Sequence, residues 1–383
     1  MRDGINVLFY LPCLGLGGIE RVVQNLAANL PESYSIYIDG QIELPGHLLS
    51  KVKLPDNVKL LTGLNLSYES DRYIPLFACH LYKKISTYHP HIIFSFWHRA
   101  NLTTGIALSA FRKHNRPKWV FSVHGESPGY ENNGISNSIK GILLKYFASK
   151  ANKHVTITKK LVDRCNAYYH GCNFDLMYNP AVSKELSILA TEYVDDACFC
   201  ENNKTILSIG RLDAMKDYKT LIRAFKIVSD SEKDAKLVIL GEGPQRYELQ
   251  SLIDSLELAG RISLPGFKDN PYKYISRCRI FVLSSSHGEA SPMVLSEAMF
   301  LSKPIVTTNF FTASDIISDN NNGLIARIGD PRDLGEKLLS LLTDCNKSIE
   351  LGACAKHVAI ERYYTNNSVK KYSELIENLV DHC

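Results

Sequence analysis

Strand-length apolar runs, each followed by a longer stretch with helical spacing, recur along this chain in two separate series. The first opens with "INVLFYL" (5–11) and "GIERVVQNLAANL" (18–30). It continues through "YSIYID" (34–39), "HIIFSF" (91–96), "KWVFSVH" (118–124) and "HVTIT" (154–158). The second restarts with "KTILSIG" (204–210) and runs through "KLVILG" (236–241), "RISLPG" (261–266), "RIFVLS" (279–284) and "PIVTTN" (304–309). Strands apolar on both faces need cover on both faces, which a parallel sheet flanked by helices provides.

Two such series, separated by "NPAVSKELSILATEYVDDACFCENN" (179–203), predict two Rossmann-like α/β domains. The first spans 1–180, a linker spans 181–203, and the second spans 204–383, with the last helix packing back on the first domain. A chain of 383 residues is long enough for two cores. No segment approaches the run of about 20 apolar residues needed to cross a bilayer. The N-terminal "MRDGINVLFYLPCLGLGG" reads as a buried strand and a glycine turn, since it lacks the small-residue cleavage site of a secretory signal. The ten cysteines have no metal-ligand spacing, and Cys198 and Cys200 are one residue too close for the usual zinc or redox pair. Free thiols in a reducing cytoplasm are expected.

Charge divides the chain. Residues 1–180 carry 20 Lys and Arg against 12 Asp and Glu, a balance of +8, and residues 181–383 carry 24 against 28, a balance of −4. The first half is therefore the one suited to an anionic partner.

Ligands of open parallel sheets sit at the carboxyl ends of the strands. The unusual residues of this chain fall there: Gly17 and Gly18, Trp97 to Arg99, His124, Gly210 and Arg211, Gly241 to Pro244, Gly266 to Lys268, and His287 to Pro292. In "HGEASPMVLSEAM" (287–299), Ser291 fits a helix N-cap and Pro292 the first helical position. The amides of Met293, Val294 and Leu295 then lack intrahelical partners, and a helix start of this kind attracts phosphate. Glu289 precedes that anion site and Glu297 follows it, so the two carboxylates suit sugar hydroxyls on either side of a diphosphate. Spacing alone leaves open that Glu289 is a loop acid and Glu297 a solvated helix residue. In "SIGRLDAMKD", Arg211 and Lys216 bring two cations to one strand end, suited to a diphosphate or to an ordinary surface.

"GRLDAMKD", "LGEGPQR", "LPGFKDNPYKYISRCRIFVLSSSHGEASPMVLSEAM" and "KPIVTT" resemble, in order and spacing, the C-terminal domain of family-4 retaining glycosyltransferases of the GT-B fold. "LGLGGIERVVQNLA", "SVHGE" and "YNPAV" look like the first domain of that family, so the likeness covers nearly the whole chain. The resemblance implies two Rossmann-like domains whose parallel sheets face each other across an interdomain cleft. It implies that Arg211 and Lys216 bind the donor diphosphate, with the amides of Met293, Val294 and Leu295 on its distal phosphate. It assigns Glu297 to the ribose, Glu289 to the transferred sugar, Phe267 and Lys268 to the base, Gly17 and Gly18 to close approach of the first loop, and His124 to the sugar from the opposite domain. One departure concerns sugar preference: after "PIVTTN", many relatives have a glycine pair and then a glutamate, where this chain has "FFTASDII" with Asp315 as the acid.

The expected activity is retaining hexosyl transfer from a nucleoside-diphosphate sugar, UDP-linked, to a hydroxyl of a growing or lipid-linked glycan, in assembly of lipopolysaccharide, O-antigen or capsule. A nucleotide-sugar 2-epimerase of the same architecture and a non-catalytic glycan-binding derivative are the alternatives. Neither cofactor nor metal is expected. Asp230-Ser231-Glu232, the nearest approach to an acidic pair, falls toward a helix end, and leaving-group charge can be met by cations and a helix start. No nucleic-acid partner is expected. "GLGGIE" followed by Asp39 argues weakly for nicotinamide binding, because Glu20 occupies the third glycine position and would obstruct close helix–strand packing. Trp97, His98 and Arg99 either line the acceptor side or close their strand, and His287 is a weaker candidate. The helix in "NSIKGILLKYFASKANKH" (137–154), with Lys140, Lys145, Lys150 and Lys153, suggests peripheral contact with the anionic inner face of the cell membrane, or a surface helix on its own domain.

Overall fold

The computed structural model describes residues 4–15, 17–44, 49, 53–61, 63–64, 71–130, 135–194, 199 and 204–381. Cys198 and Cys200 lie outside them. The chain forms two units, one of Met1–Pro180 with Thr365–Cys383 and the other of Ala181–Tyr364. The second unit therefore begins where the linker was expected, and it ends before the last helix.

Among the described residues the first unit holds seven strands: β1 (Ile5–Leu11), β2 (Tyr34–Gly40), β3 (Val58–Leu60), β4 (Ile92–Phe96), β5 (Lys118–Val123), β6 (Lys153–Thr156) and β7 (Phe174–Leu176). They lie in the order β3-β2-β1-β4-β5-β6-β7, and every pairing is parallel. All five residues of β4 are buried, as a central strand covered on both faces requires. Helix Gly18–Asn29 turns Val22, Val23, Leu26 and Ala27 inward. Helix Thr365–Asp381 does the same with Val369, Tyr372, Ile376 and Val380. The tail helix is tied to this unit by the Tyr372 ring 5.6 Å from Phe94. Tyr34 Oη also donates to Glu377 at 3.1 Å, and Ser368 Oγ to the Tyr178 carbonyl at 3.0 Å.

The second unit holds β8 (Thr205–Ile209), β9 (Lys236–Leu240), β10 (Ile262–Gly266), β11 (Ile280–Leu283), β12 (Ile305–Thr308) and β13 (Leu324–Ala326). Their order is β10-β9-β8-β11-β12-β13, again all parallel. Leu221, Phe225 and Val228 of helix Tyr218–Ser231 pack with Leu334, Leu338 and Leu341 of helix Pro331–Thr343 against Ile206, Leu237 and Val282. Pro331 stands in the first turn of its helix, and Asp330 caps that turn by accepting from the Arg332 and Asp333 amides.

Both sheets share one topology. The chain winds outward from the first strand of each unit, then crosses back to the other side of it. Each reversal leaves a crevice at the carboxyl ends of two neighbouring strands, β1 and β4 in one sheet, β8 and β11 in the other. No helix among the described residues is long and apolar enough to cross a membrane.

Candidate active site

In the second unit, the reversal between β8 and β11 collects most of the expected donor residues. Beyond β8, a short turn Ala214–Lys216 is closed by Asp213, whose side chain accepts from the Lys216 amide. This turn carries Lys216 back over the strand end. Beyond β11, Gly288 has φ +77, which a residue with a side chain adopts only at a cost. That bend brings Glu289 to Lys216, and the two side chains form an ion pair, about 10% and 9% exposed. Ser285 Oγ donates to the same carboxylate oxygen, Oε1, at 2.8 Å. Among the described residues Oε2 makes no hydrogen bond. The backbone is pinned as well: Ser284 Oγ donates to the Lys216 carbonyl at 2.7 Å, and Thr312 Oγ1 to the Glu289 carbonyl at 3.0 Å.

Around this pair the other expected residues sort by exposure. Arg211 keeps its side chain 72% exposed, with Nε 3.7 Å from Asp213. Phe267 is 58% exposed just beyond β10, and Lys268 is half-buried beside it. Glu297 is fully buried, at 0% exposure, rather than on a solvated helix face. The helix start also differs from expectation. Met293–Phe300 begins after Pro292, which occupies the capping position, and no side chain caps it, so Ser291 is not the N-cap. The Leu295 amide donates to the Pro292 carbonyl at 3.0 Å, which leaves Met293 and Val294, rather than three residues, at the head of the helix. His287 accepts or donates at Nδ1 with Ser286 Oγ, 2.8 Å away.

In the first unit, His124 follows β5 with its ring 5.0 Å from Phe96. Burial pushes its pKa down to about 3, so the imidazole is neutral, and Nε2 has no hydrogen-bond partner among the described residues. Gly17 precedes helix Gly18–Asn29. A Cβ there would lie 2.6 Å from Glu20 Oε2, whereas one at Gly18 would meet nothing within 4 Å. Glu20 does not obstruct helix packing as the sequence suggested. It folds back over the glycine loop, accepting from the Gly15 and Gly17 amides, and burial raises its pKa. Cys13 Sγ donates to it at 3.5 Å.

Asp39, the acid of the weak nicotinamide fingerprint, is buried against Lys84 at 2.5 Å. Trp97 has φ +77, a strained conformation for a bulky residue. Its indole packs over Gly125, where an added Cβ would meet it at 3.0 Å, and Nε1 donates to His98 Nε2 at 3.2 Å. Arg99, buried in helix Trp97–Ser109, turns toward Asp71 at 3.5 Å. Asp230 and Glu232 are engaged by Lys226 and Lys204. Among the described residues no group of three His, Cys, Asp or Glu side chains could hold a metal ion.

Two Rossmann-type units, one with a buried cation–carboxylate pair at its reversal point, define a GT-B protein of the α/β class. Residues 16–180 match the family model Glycosyltransferase Family 4, and residues 194–358 match Glycosyl transferases group 1. The chain belongs to the family-4 glycosyltransferases of the GT-B type. A relative from Campylobacter jejuni, N-acetylgalactosamine-N,N'-diacetylbacillosaminyl-diphospho-undecaprenol 4-alpha-N-acetylgalactosaminyltransferase, is 29% identical over 88% of this chain and 89% of its own. The crystal structure of Anabaena Alr3699/HepE in complex with UDP superposes with a TM-score of 0.75 at 18% identity, over 97% of this chain and 100% of that one. Sucrose-phosphate synthase from Thermosynechococcus elongatus does so with a TM-score of 0.81 at 15% identity, over 99% and 100%. At such identities the two structures speak for the fold alone.

Proposed function

We propose that the protein is a retaining hexosyltransferase that moves a sugar from a UDP-linked donor to a hydroxyl of a lipid-linked or growing glycan in bacterial surface polysaccharide assembly. The observation that carries this reading is the Lys216–Glu289 pair. Lys216 and Ser285 both engage Oε1 of Glu289, which leaves Oε2 as the acceptor for a hydroxyl of the transferred sugar. In this reading the exposed Arg211 guanidinium grips the diphosphate, Lys216 adds a second positive charge, and the Met293 and Val294 amides meet the distal phosphate. Phe267 and Lys268 lie against the base. Glu297 is assigned to the ribose. His124, held neutral, offers Nε2 to a sugar hydroxyl.

Bond cleavage then leaves both electrons of the glycosidic bond on the departing diphosphate, whose charge Arg211 and Lys216 stabilise without metal. No side chain is assigned as a covalent nucleophile. The acceptor hydroxyl attacks on the face that the diphosphate leaves, and its proton passes to the departing phosphate, so the anomeric configuration is retained. A lipid-linked acceptor is supported by the diphospho-undecaprenol named for the Campylobacter jejuni relative.

Incubation with a panel of nucleotide sugars, with and without glycan acceptors, tests the proposal. Acceptor-dependent release of UDP and an α-linked product from an α-linked donor are expected. UDP or an epimer released without acceptor would favour a 2-epimerase, and release under neither condition would favour a glycan-binding derivative.

A further inference from the structure

Helix Ile135–Ala148 of the first unit is apolar on two opposite faces. Leu144, Phe147 and Ala148 are buried in the core of the unit. Ile139, Ile142, Leu143 and Tyr146 face outward, and they are 53%, 68%, 39% and 55% exposed. Their spacing of three, one and three residues places them in a single stripe. Soluble surfaces tolerate scattered apolar side chains but seldom a contiguous aliphatic stripe along one helix.

The charge around this stripe identifies what covers it. From Asn132 to Val162 the chain carries six lysines and no Asp or Glu. Of these, Lys140 pairs with Asp71 at 2.6 Å and Lys153 with Asp175 at 2.6 Å. Lys145 and Lys150 are exposed, and they flank the stripe with their ammonium groups over the rings of Tyr168 and Tyr146. A second copy of this chain placed on the stripe would set lysine against lysine. A surface of fixed negative charge over an apolar interior complements both features.

We infer that the Ile139–Tyr146 face is a membrane-docking surface, seated in the headgroup region of an anionic bilayer. The aliphatic side chains enter the acyl boundary, the Tyr146 phenol stays at the interface, and Lys145 and Lys150 meet lipid phosphates. The lysines alone do not carry the contact: the helix ends at Ala148 and holds only Lys140 and Lys145, Lys153 lies in β6, and Lys140 and Lys153 are already paired within the protein. This deepens the lipid-linked acceptor proposed above, because docking brings the enzyme to the surface that holds such an acceptor. The docking itself is measurable whether or not that acceptor is correct.

The test uses the full chain and vesicles of phosphatidylglycerol and phosphatidylcholine in equal parts. The wild type should co-sediment at low salt and retain part of its binding at high salt. The triple variant Ile139→Ser, Ile142→Ser, Leu143→Ser should lose about tenfold or more of its partitioning at both salt levels. Lys145→Glu with Lys150→Glu should weaken binding mainly at low salt. Ile142→Trp should shift its emission to the blue when vesicles are added. All variants should keep wild-type turnover of a soluble acceptor analogue, or, if no transfer is detectable, wild-type thermal melting. Absence of wild-type binding, unchanged binding of the triple variant, or an unmoved Ile142→Trp emission would overturn the inference. So would a lipid-free dimer that the triple variant dissociates, which would assign the face to a second copy.

Discussion

Lys216 and Glu289, 73 residues apart in sequence, neutralise each other in a buried ion pair where the second sheet reverses its winding. Removing one partner of such a pair strands the other charge, at a cost of about 3–5 kcal/mol. Glu289→Gln and Lys216→Met should each destabilise the second unit on that scale, and the double variant Lys216→Met, Glu289→Gln should recover much of the loss. Denaturant melts followed by circular dichroism would measure the coupling. Additive losses would mean that the two charges are solvated independently.

Arg211 sits beside that pair but stays in solvent, with 72% of its side chain exposed. Its replacement by alanine should therefore leave stability within about 0.5 kcal/mol of wild type. If the guanidinium grips the diphosphate, kcat/KM should fall at least about tenfold, the loss of one charge-assisted bond of roughly 1.5–3 kcal/mol. Steady-state kinetics with unchanged melting would separate a binding role from a structural one, and wild-type kinetics would remove Arg211 from the site.

Chelation offers an independent check. Two cations and a helix start are assigned the charge of the leaving diphosphate, so transferase activity should persist in excess chelator within about twofold. Complete loss, restored by manganese or magnesium, would show that the leaving group is stabilised in another way.

Two histidines, His124 and His98, contribute to the acid response of the first unit. Burial lowers the pKa of His124 to about 3 and that of His98 to about 4, from an ordinary value near 6.5. Below pH 6.5 the unfolded chain binds protons that the folded unit refuses, so stability falls as pH drops toward those folded values, by up to about 1.4 kcal/mol per unit for each group. Asp39, pushed up to about 7 mainly by burial, acts in the opposite sense, its contribution being lost as pH rises through that value. Comparing wild type with His124→Gln isolates one term. Their stability difference should shift in favour of the variant as pH falls from about 7 to about 5. Both tryptophans, Trp97 and Trp119, belong to the first unit, so their fluorescence reports that unit alone. A difference independent of pH would mean that His124 protonates freely in the folded protein.

The strands that built the two cores were legible because their apolar residues dictate burial on both faces. "IIFSF" and "RIFVLS" occur as β4 and β11 at nearly the expected limits. The three-residue strands β3, β7 and β13 were not, because so short a run carries no period of its own. Lys216 and Glu289 were both singled out, yet their contact was invisible, since it depends on how two loops from different strands turn back. Glu20 was misread for a related reason. A carboxylate in place of a glycine looks obstructive in sequence, but here it satisfies the amides of the loop that precedes it. Burial of Glu297 also escaped the pattern, because a polar residue in an apolar helix reads equally well as its solvated face.

The helix Thr365–Asp381 completes the first unit although it follows the whole of the second in sequence. During synthesis the second unit is therefore free to fold as an uninterrupted segment. The first must wait, with Phe94 and the Tyr178 carbonyl uncovered, until Thr365–Asp381 has left the ribosome. Ala181–Tyr364 should accordingly be expressible by itself. A fragment ending at Pro180 should aggregate unless the tail helix is supplied as a separate peptide.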